Sequence, residues 1–291
     1  MANSSDSIEL IVLGTAQDGG APQMGHNDDP AWRDASLKRT ATCLGLVDRA
    51  SGRRWMFDAT PDIREQLHRF DSVAPPAGNA LDGVFLTHAH MGHYTGLMFF
   101  GHEGMGVRDL PVHVMPRMAN YLSGNGPWSQ LVRLGNVALK PLGDGKPIAL
   151  GRVSVTPFFV PHREEFSEVV GFHIDGPSKK VLFIPDIDRW EDWDAQGVRI
   201  EDEIAKVDVA YLDGTFYADG ELAGRDMSKV PHPTIASSMK RFAPLSSREK
   251  SKIRFIHLNW SNPARFVGSH ARREVLANGF AVAEEMERLV L

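Results

Sequence analysis

The stretch of sequence that decides the fold is Val84-Phe85-Leu86-Thr87-His88-Ala89-His90-Met91-Gly92-His93-Tyr94-Thr95-Gly96-Leu97. An apolar strand ends at Thr87, three histidines follow within six residues, and a helix is expected after them. On a loop that leaves a strand, His88 and His90 can reach one point, and His93 can face a second point nearby. Neutral imidazole is the commonest metal-ligating side chain. With only 12 histidines in 291 residues, we favour a metal site over a chance cluster of surface histidines.

Acidic residues and histidines also follow other predicted strands, at the points where these strands end. One such residue alone is most often a turn former or a helix cap. If the strands run in the same direction, however, their ends meet on one rim, where the side chains can share a metal ion. Asp188 follows Asp186 by two residues and is the competing carboxylate at that strand end. The strand-end residues are Asp58, His88, His162, Asp186, Asp213 and His257.

The predicted strands form two runs, and a few helices interrupt each run. This order favours two packed sheets with helices outside them, an α/β sandwich. We find no linker or internal repeat and therefore expect one domain over residues 1–291. Residues 15–34 predict an irregular polar loop whose length indicates function or mobility. Strands are predicted at 8–13, 42–47, 54–57, 82–87, 112–115, 136–142, 152–160, 169–174, 180–184, 207–212, 253–258 and 280–283, and helices at 61–70, 94–100, 116–122, 233–242 and 271–277.

Composition and charge exclude several classes of protein. The net charge of −5 gives no support for a general nucleic-acid surface. The single Cys43 excludes an intrachain disulfide and a structural zinc held by a cysteine pair. No apolar run reaches the roughly 18 residues of a membrane span, and residues 1–7 do not resemble the start of a signal peptide. We therefore expect a cytoplasmic protein that acts on a small molecule, without membrane or nucleic acid, and we leave a homo-oligomer open.

The histidine stretch resembles the signature His-x-His-x-Asp-His of the metallo-β-lactamase fold. In that family the first two histidines bind one metal ion, and the aspartate and the last histidine bind another. The resemblance implies a four-layer αββα sandwich with metal-binding loops along one edge. Gly92 stands at the aspartate position, so whether a second metal ion binds is undecided. The glycine is also expected to leave room beside the first metal ion. By resemblance, the metal ligands are His88, His90, His93, His162, Asp186 and His257, and Asp186 is the bridging carboxylate.

Three further residues have roles that the resemblance implies. Asp58 corresponds to the strand-end aspartate that orients a ligating imidazole, with helix capping as the alternative, and Asp213 is a candidate for the same role. His232 resembles the histidine of the ribonuclease Z and phosphodiesterase branches that protonates a leaving oxygen, although Pro233 replaces the usual small polar residue. If the second metal position stays empty, His93 and Asp186 could position or deprotonate a water molecule. The predicted catalytic residues are therefore Asp186, His93 and His232.

Motifs spread over nearly the whole chain resemble the pyrroloquinoline quinone biosynthesis protein B (PqqB) group. Two features depart from that group. Its cysteine-rich structural zinc segment is replaced here by Met24-Gly25-His26-Asn27, and its metal motif lacks the early histidine pair that this chain has. The role in cofactor biosynthesis is therefore not transferred. The motifs are Gly14-Thr15-Ala16-Gln17-Asp18-Gly19-Gly20-Ala21-Pro22-Gln23, Phe57-Asp58-Ala59-Thr60-Pro61-Asp62 and Phe255-Ile256-His257-Leu258-Asn259-Trp260-Ser261-Asn262-Pro263.

These observations predict a metal-dependent hydrolase that acts on an ester, lactone or phosphodiester-type substrate. Zinc is the expected metal, as one or two ions, and iron and manganese remain open. Zinc lowers the pKa of a bound water toward neutrality and polarises a substrate oxygen. The alternatives are an iron-dependent oxygenase, since two histidines and one carboxylate suit Fe(II), a role like that of PqqB, and a metal-binding protein with little catalysis.

Overall fold

Two seven-stranded β-sheets lie face to face in the computed structural model, which describes residues 6–222, 224 and 226–291. The strands of the described chain are β1 (Ile8–Gly14), β2 (Cys43–Asp48), β3 (Arg53–Phe57), β4 (Gly83–Phe85), β5 (Leu110–Val114), β6 (Val137–Pro141), β7 (Ile148–Ala149), β8 (Ser154–Phe159), β9 (Val170–Asp175), β10 (Lys180–Ile184), β11 (Val209–Asp213), β12 (Ile253–Ile256), β13 (Ala281–Val282) and β14 (Arg288–Val290). The first sheet has the order β14-β1-β2-β3-β4-β5-β6, and the second has the order β13-β12-β11-β10-β9-β8-β7.

Helices cover the outer face of each sheet. Most are short, and several begin at a proline or after a residue whose side chain caps the first turn. The α-helices of the described chain are α1 (Ile63–Val73), α2 (Met91–Tyr94), α3 (Pro116–Gly124), α4 (Trp128–Arg133), α5 (Trp190–Ala195), α6 (Ile200–Ala205), α7 (Ile235–Arg241), α8 (Ser247–Lys250) and α9 (His270–Ala277).

Three buried apolar clusters show the order of the layers. One lies between the sheets, the second lies between the first sheet and α1, α3 and α4, and the third lies between the second sheet and α5, α6, α7 and α9. Successive side chains of a strand point to opposite faces. In β1, accordingly, Leu10 and Val12 join the central cluster, whereas Ile11 and Leu13 join the outer one. The arrangement is the predicted αββα sandwich.

Strand direction brings the strand ends together on one edge. β3, β4 and β5 are parallel, and β1 runs in the same direction as β3 because both are antiparallel to β2. In the second sheet β10, β11 and β12 are parallel, and β8 runs in their direction because both β8 and β10 are antiparallel to β9. The loops after these strands carry the predicted site residues.

Several elements differ from the sequence prediction. The helix predicted at 94–100 is instead α2, which already contains His93, followed by a 3₁₀ helix at Thr95–Phe100. Sequence patterns missed β7, β14, α4, α5, α6 and α8, which have six residues or fewer each. Within the described residues no helix is long and apolar enough to cross a bilayer. Residues 1–5, part of the segment judged unlike a signal peptide, lie outside the described residues, and the single-domain expectation stays a prediction.

The stability of the folded chain is expected to depend on pH through His113, which lies on β5. Its ring stacks on Phe85 with centroids 4.3 Å apart, and burial, aided by Lys140, lowers its pKa to about 4. The unfolded chain, with a histidine pKa of about 6.5, therefore binds more protons than the folded chain in this window. Stability is lost as the pH falls from about 6.5 toward 4.

We expect metal-free His113→Leu to lose less stability than the wild type between about pH 7 and pH 5. Urea denaturation at both pH values measures the difference. His270→Leu is the control, because the His270 side chain is 86% exposed. An unchanged pH dependence in His113→Leu would show that His113 does not carry the effect.

Candidate metal centre

The first group of converging side chains contains His88, His90, His162 and Asp186. Each offers one potential ligand atom, and these four atoms all lie within 4.8 Å of one another. His162 Nε2 lies 3.0 Å from His90 Nδ1 and 3.3 Å from Asp186 Oδ2. His88 Nε2 lies 3.5 Å from the same carboxylate oxygen. Two ligands of one tetrahedral zinc ion are ~3.3 Å apart when each bond is about 2.0–2.1 Å. The spacing of this group therefore fits a single ion.

The second group contains His93, His257 and a residue that the sequence did not predict, Asp18. Asp18 Oδ1 lies 3.2 Å from His93 Nε2 and 3.4 Å from His257 Nε2. Asp186 Oδ2 is 3.7 Å from His93 Nε2 and 3.9 Å from His257 Nε2, so this oxygen faces both groups. Asp186 therefore occupies the position expected of a carboxylate shared between two metal ions.

The far nitrogen of most rings is fixed by a neighbour, which directs the other nitrogen toward the centre. Such partners set the tautomer and the orientation of a ligating imidazole. His90 is turned the other way, since its Nε2 contacts Glu165 at 3.0 Å and its Nδ1 faces His162. The Nδ1 contacts are His88 with Thr87 Oγ1 at 2.9 Å, His93 with Asp58 Oδ2 at 2.7 Å, His162 with Asp188 Oδ1 at 2.6 Å, His257 with Thr215 Oγ1 at 2.8 Å and His232 with Asp213 Oδ2 at 2.8 Å.

His232 stands beside the first two groups without being part of them. Its Nδ1 contacts Asp213 and lies 3.3 Å from Asp186 Oδ1. Asp213 also accepts hydrogen bonds from the backbone and hydroxyl of Thr215, which holds His257. Asp213 thus connects a predicted catalytic histidine with a predicted ligand.

Two residues at strand ends have unusual backbone dihedral angles. Asp58 and His257 have φ values of 67° and 66°, in the left-handed region that residues other than glycine rarely adopt. The Asp58 carboxylate accepts hydrogen bonds from the Thr87 backbone and hydroxyl while it contacts His93. Asp58 therefore supports the site and does not cap a helix. Strained residues of this kind cluster at functional sites.

The site contains buried polar atoms that no protein group satisfies. Among the described residues, ten buried side-chain nitrogen or oxygen atoms lack a hydrogen-bond partner, and five of them belong to this site. Native proteins leave few such atoms unpaired, and an unplaced ion is one explanation for them. Imidazole and carboxylate ligands together suit zinc. The five atoms are Asp18 Oδ1, His88 Nε2, His93 Nε2, Asp186 Oδ1 and His257 Nε2.

Electrostatic effects differ from one ring to the next. Burial lowers the pKa of His88 well below its usual range, so this ring is neutral. Burial also lowers the pKa of His162, but Asp186 and Asp188 overcome this effect and raise it to about 10. In the same way Asp58 and Asp18 raise the pKa of His93 well above normal against the effect of burial.

The carboxylates respond in the opposite direction. Burial raises the pKa of Asp186, but His162, His257 and His232 hold it well below its usual range. Burial likewise raises the pKa of Asp18, and the His257 and His93 rings bring it well below normal. The aspartates therefore remain charged and attract cations, either protons on the rings or a metal ion. Metal binding to such a site releases protons.

Comparison with known proteins agrees with the fold. A family model described as the β-lactamase superfamily domain matches residues 53–269. The chain belongs to this superfamily. The matched segment includes all the metal ligands predicted from the metallo-β-lactamase signature, but it does not include Asp18.

Proteins of similar sequence match nearly the whole chain. Coenzyme PQQ synthesis protein B of Xanthomonas axonopodis pv. citri is 26% identical over 307 residues, covering 96% of this chain and 98% of the relative. The same protein from Methylobacterium sp. is 25% identical, covering 98% and 100%. The resemblance to the PqqB group is therefore confirmed.

Solved structures show the same architecture. Zn²⁺-bound PqqB from Methylobacterium extorquens superposes with a TM-score of 0.80 at 24% identity, covering 97% of this chain and all of the other. A diphosphatase from the PhnP family superposes with a TM-score of 0.67 at 18% identity, covering 98% and 97%. At these identities the likeness establishes the fold alone.

All the predicted site residues lie in one place, and their roles as ligands and catalysts stay predictions. Asp186 lies at the centre, whereas Asp188, the competing carboxylate, holds His162 from outside. The expectation that Gly92 makes open room is wrong, because Asp18 fills that space. Only the length and glycine content of the loop after β1 pointed toward Asp18.

Proposed function

We propose that this protein is a metal-dependent hydrolase whose centre holds zinc. The observation that carries the proposal is the convergence of unpaired ring nitrogens on the Asp186 carboxylate, from the segment after β4 and from the loop after β12. Packing alone does not explain why the buried nitrogens of His88, His93 and His257 should lack partners at one point. Metal ligands need such free lone pairs, and their outer nitrogens need the partners that these rings have.

Some residues of the site would bind the metal ion, and another would transfer a proton. His88, His90 and His162 would hold one ion, and Asp186 would share its carboxylate with the second position. A bound zinc ion polarises a substrate oxygen and lowers the pKa of a water molecule. His232 lies on the other side of Asp186, where Asp213 fixes its Nδ1 and leaves Nε2 to carry a proton to a leaving oxygen.

A cavity beside His232 provides space for a substrate. It has a volume of about 260 Å³, and its lining includes Arg189, Phe216 and Thr234. Arg189 is exposed and forms no ion pair with any described residue, including Asp219, which lines the same cavity. Its guanidinium is therefore available to a phosphate or carboxylate. Among esters, lactones and phosphodiesters, we therefore infer that phosphodiesters are the first class to test.

The test is hydrolysis of bis(p-nitrophenyl) phosphate, p-nitrophenyl acetate and a γ-lactone before and after chelation. We expect zinc-dependent hydrolysis of at least one substrate, with a loss on the order of 10³-fold on chelation or in His88→Ala. Adding Zn²⁺ should restore the chelated wild type but not the variant. His68→Ala is the matched control, since His68 is an exposed histidine on α1. A rate that survives both chelation and His88→Ala would refute the proposal.

A role like that of coenzyme PQQ synthesis protein B is the second candidate. The full-length resemblance to these relatives favours it. The two candidates share the metal centre and differ in the reaction. Metal binding without hydrolysis of any substrate in the panel would favour this second candidate.

A further inference from the structure

Position 92 and Asp18 compete for one volume beside the second group. A Cβ atom on residue 92 would lie 2.2 Å from Asp18 Oδ1, 2.5 Å from its Cγ and 2.6 Å from its Cα. These distances are far below the ordinary contact of about 3.5–4.0 Å between carbon atoms. An aspartate at position 92 and the present position of Asp18 are therefore mutually exclusive. The Asp18 carboxylate fills the space into which a side chain on residue 92 would extend.

The two ring nitrogens that face Asp18 are free to bind a metal ion. The side chains of His93 and His257 are each 1% exposed, and neither Nε2 atom has a hydrogen-bond partner among the described residues. Both atoms point at Asp18 Oδ1, which is itself buried and unpaired. A carboxylate oxygen facing two imidazole nitrogens, with Asp186 on the far side, is a complete set of metal ligands without any contribution from residue 92.

The loop that carries Asp18 is fixed to the loop that carries His257. Thr15 O accepts a hydrogen bond from Leu258 N, and Gln17 N donates to Leu258 O, both at 2.9 Å. Gly20 then turns the chain with a φ of 66° and donates to Gln17 O. Backbone hydrogen bonds thus hold Asp18 next to His257, and no metal ion is needed to order the loop.

We propose that Asp18 supplies the carboxylate that the metallo-β-lactamase signature normally takes from position 92, so that Gly92 completes the second metal position instead of abolishing it. The ligand moves from α2 to the loop after β1, and the glycine is required to make room for it. This inference rests on the metal binding proposed above and is independent of the reaction.

The test measures the zinc content and the Zn²⁺ dissociation constant of the second ion in purified variants. We expect two ions per chain in the wild type and one in Asp18→Ala and Asp18→Asn, with binding of the second ion weakened on the order of 100-fold or more. Asp28→Ala, an exposed aspartate of the same loop, is the control and should retain both ions.

Gly92→Ala provides the sharper test, because it changes no ligand. Its methyl group should displace Asp18 and weaken the second ion as much as Asp18→Ala does, and the double variant should lose no more than either single variant. Gly124→Ala is the control glycine, since a Cβ there meets nothing within 4 Å. Cooperative melting of the metal-free proteins will establish that each variant folds.

The outcomes separate this inference from the proposed function. Two tightly bound zinc ions in Asp18→Ala or Gly92→Ala would overturn it. A single ion in the wild type, removed by His88→Ala, would also overturn it and leave a hydrolase with one metal. No zinc in any protein would overturn the proposed function as well.

Discussion

Replacing Asp186 with asparagine is expected to lower kcat/KM for the best substrate on the order of 10³-fold and to weaken zinc binding at both positions. Asp186 Oδ2 lies between 3.3 and 3.9 Å from four inward ring nitrogens, those of His88, His93, His162 and His257. Asparagine keeps the shape but removes the negative charge that two cations would share. It also presents an amide in place of one carboxylate oxygen.

Asp188→Asn is the matched control for Asp186→Asn. The two carboxylates are two residues apart, and both contact His162, but Asp188 touches only its outer nitrogen, at 2.6 Å. Loss of such an orienting partner typically costs 10–100-fold in metal affinity or activity. We expect one weakened ion in Asp188→Asn and two in Asp186→Asn. A larger effect of Asp188→Asn would contradict the central placement of Asp186.

Replacing His232 with alanine is expected to lower kcat by about 10²–10⁴-fold while the zinc content stays unchanged. The His232 ring is held by Asp213 and lies near Asp186, yet no ligand atom of the first two groups belongs to it. A residue that donates a proton to the leaving oxygen matters least when that oxygen leaves easily. The loss should therefore be greater for an alkyl phosphodiester than for a p-nitrophenyl phosphodiester.

Steady-state kinetics with both substrates and elemental analysis of the same preparation will measure these effects. His270→Ala, which changes an exposed histidine, is the control. An equal loss with the two leaving groups would show that His232 does not act as the proton donor. Loss of zinc from His232→Ala would make it a ligand or a supporting residue instead.

Much of the site could be predicted because it uses the regular part of the fold. Strand ends are recognisable in sequence, and parallel strands deliver the residues that follow them to one edge. For this reason His88, His162, Asp186 and His257 could be expected at one edge from their places after β4, β8, β10 and β12, whereas their roles as ligands were implied by the family resemblance. The layered fold followed from the same alternation of apolar runs and helices.

Asp18 could not be predicted in the same way. It lies four residues beyond β1 in an irregular loop, and its position depends on the pairing of Ala16 with Leu258, residues far apart in sequence. Sequence spacing also gives no sign of which ring nitrogen faces inward. Thr87 and Thr215, which fix that orientation, resemble ordinary loop residues until the fold places them beside His88 and His257.

Gly92 shows how an accurate motif comparison can lead to a wrong local expectation. The missing aspartate was correctly identified, and empty space was the simplest inference from a glycine. The structure places another carboxylate there, from a segment outside the matched family domain. A sequence motif lists the ligands that one segment supplies, but a ligand missing from it can come from another segment that the fold brings nearby.

Elemental analysis of the wild-type protein, purified without chelator, will show whether the converging histidines and aspartates bind metal. We expect about two zinc ions per chain, both removed by chelation and both regained on adding Zn²⁺. Iron in their place would favour oxygenase chemistry over hydrolysis. Protein that contains no metal and takes up none would show that these residues do not form a metal centre.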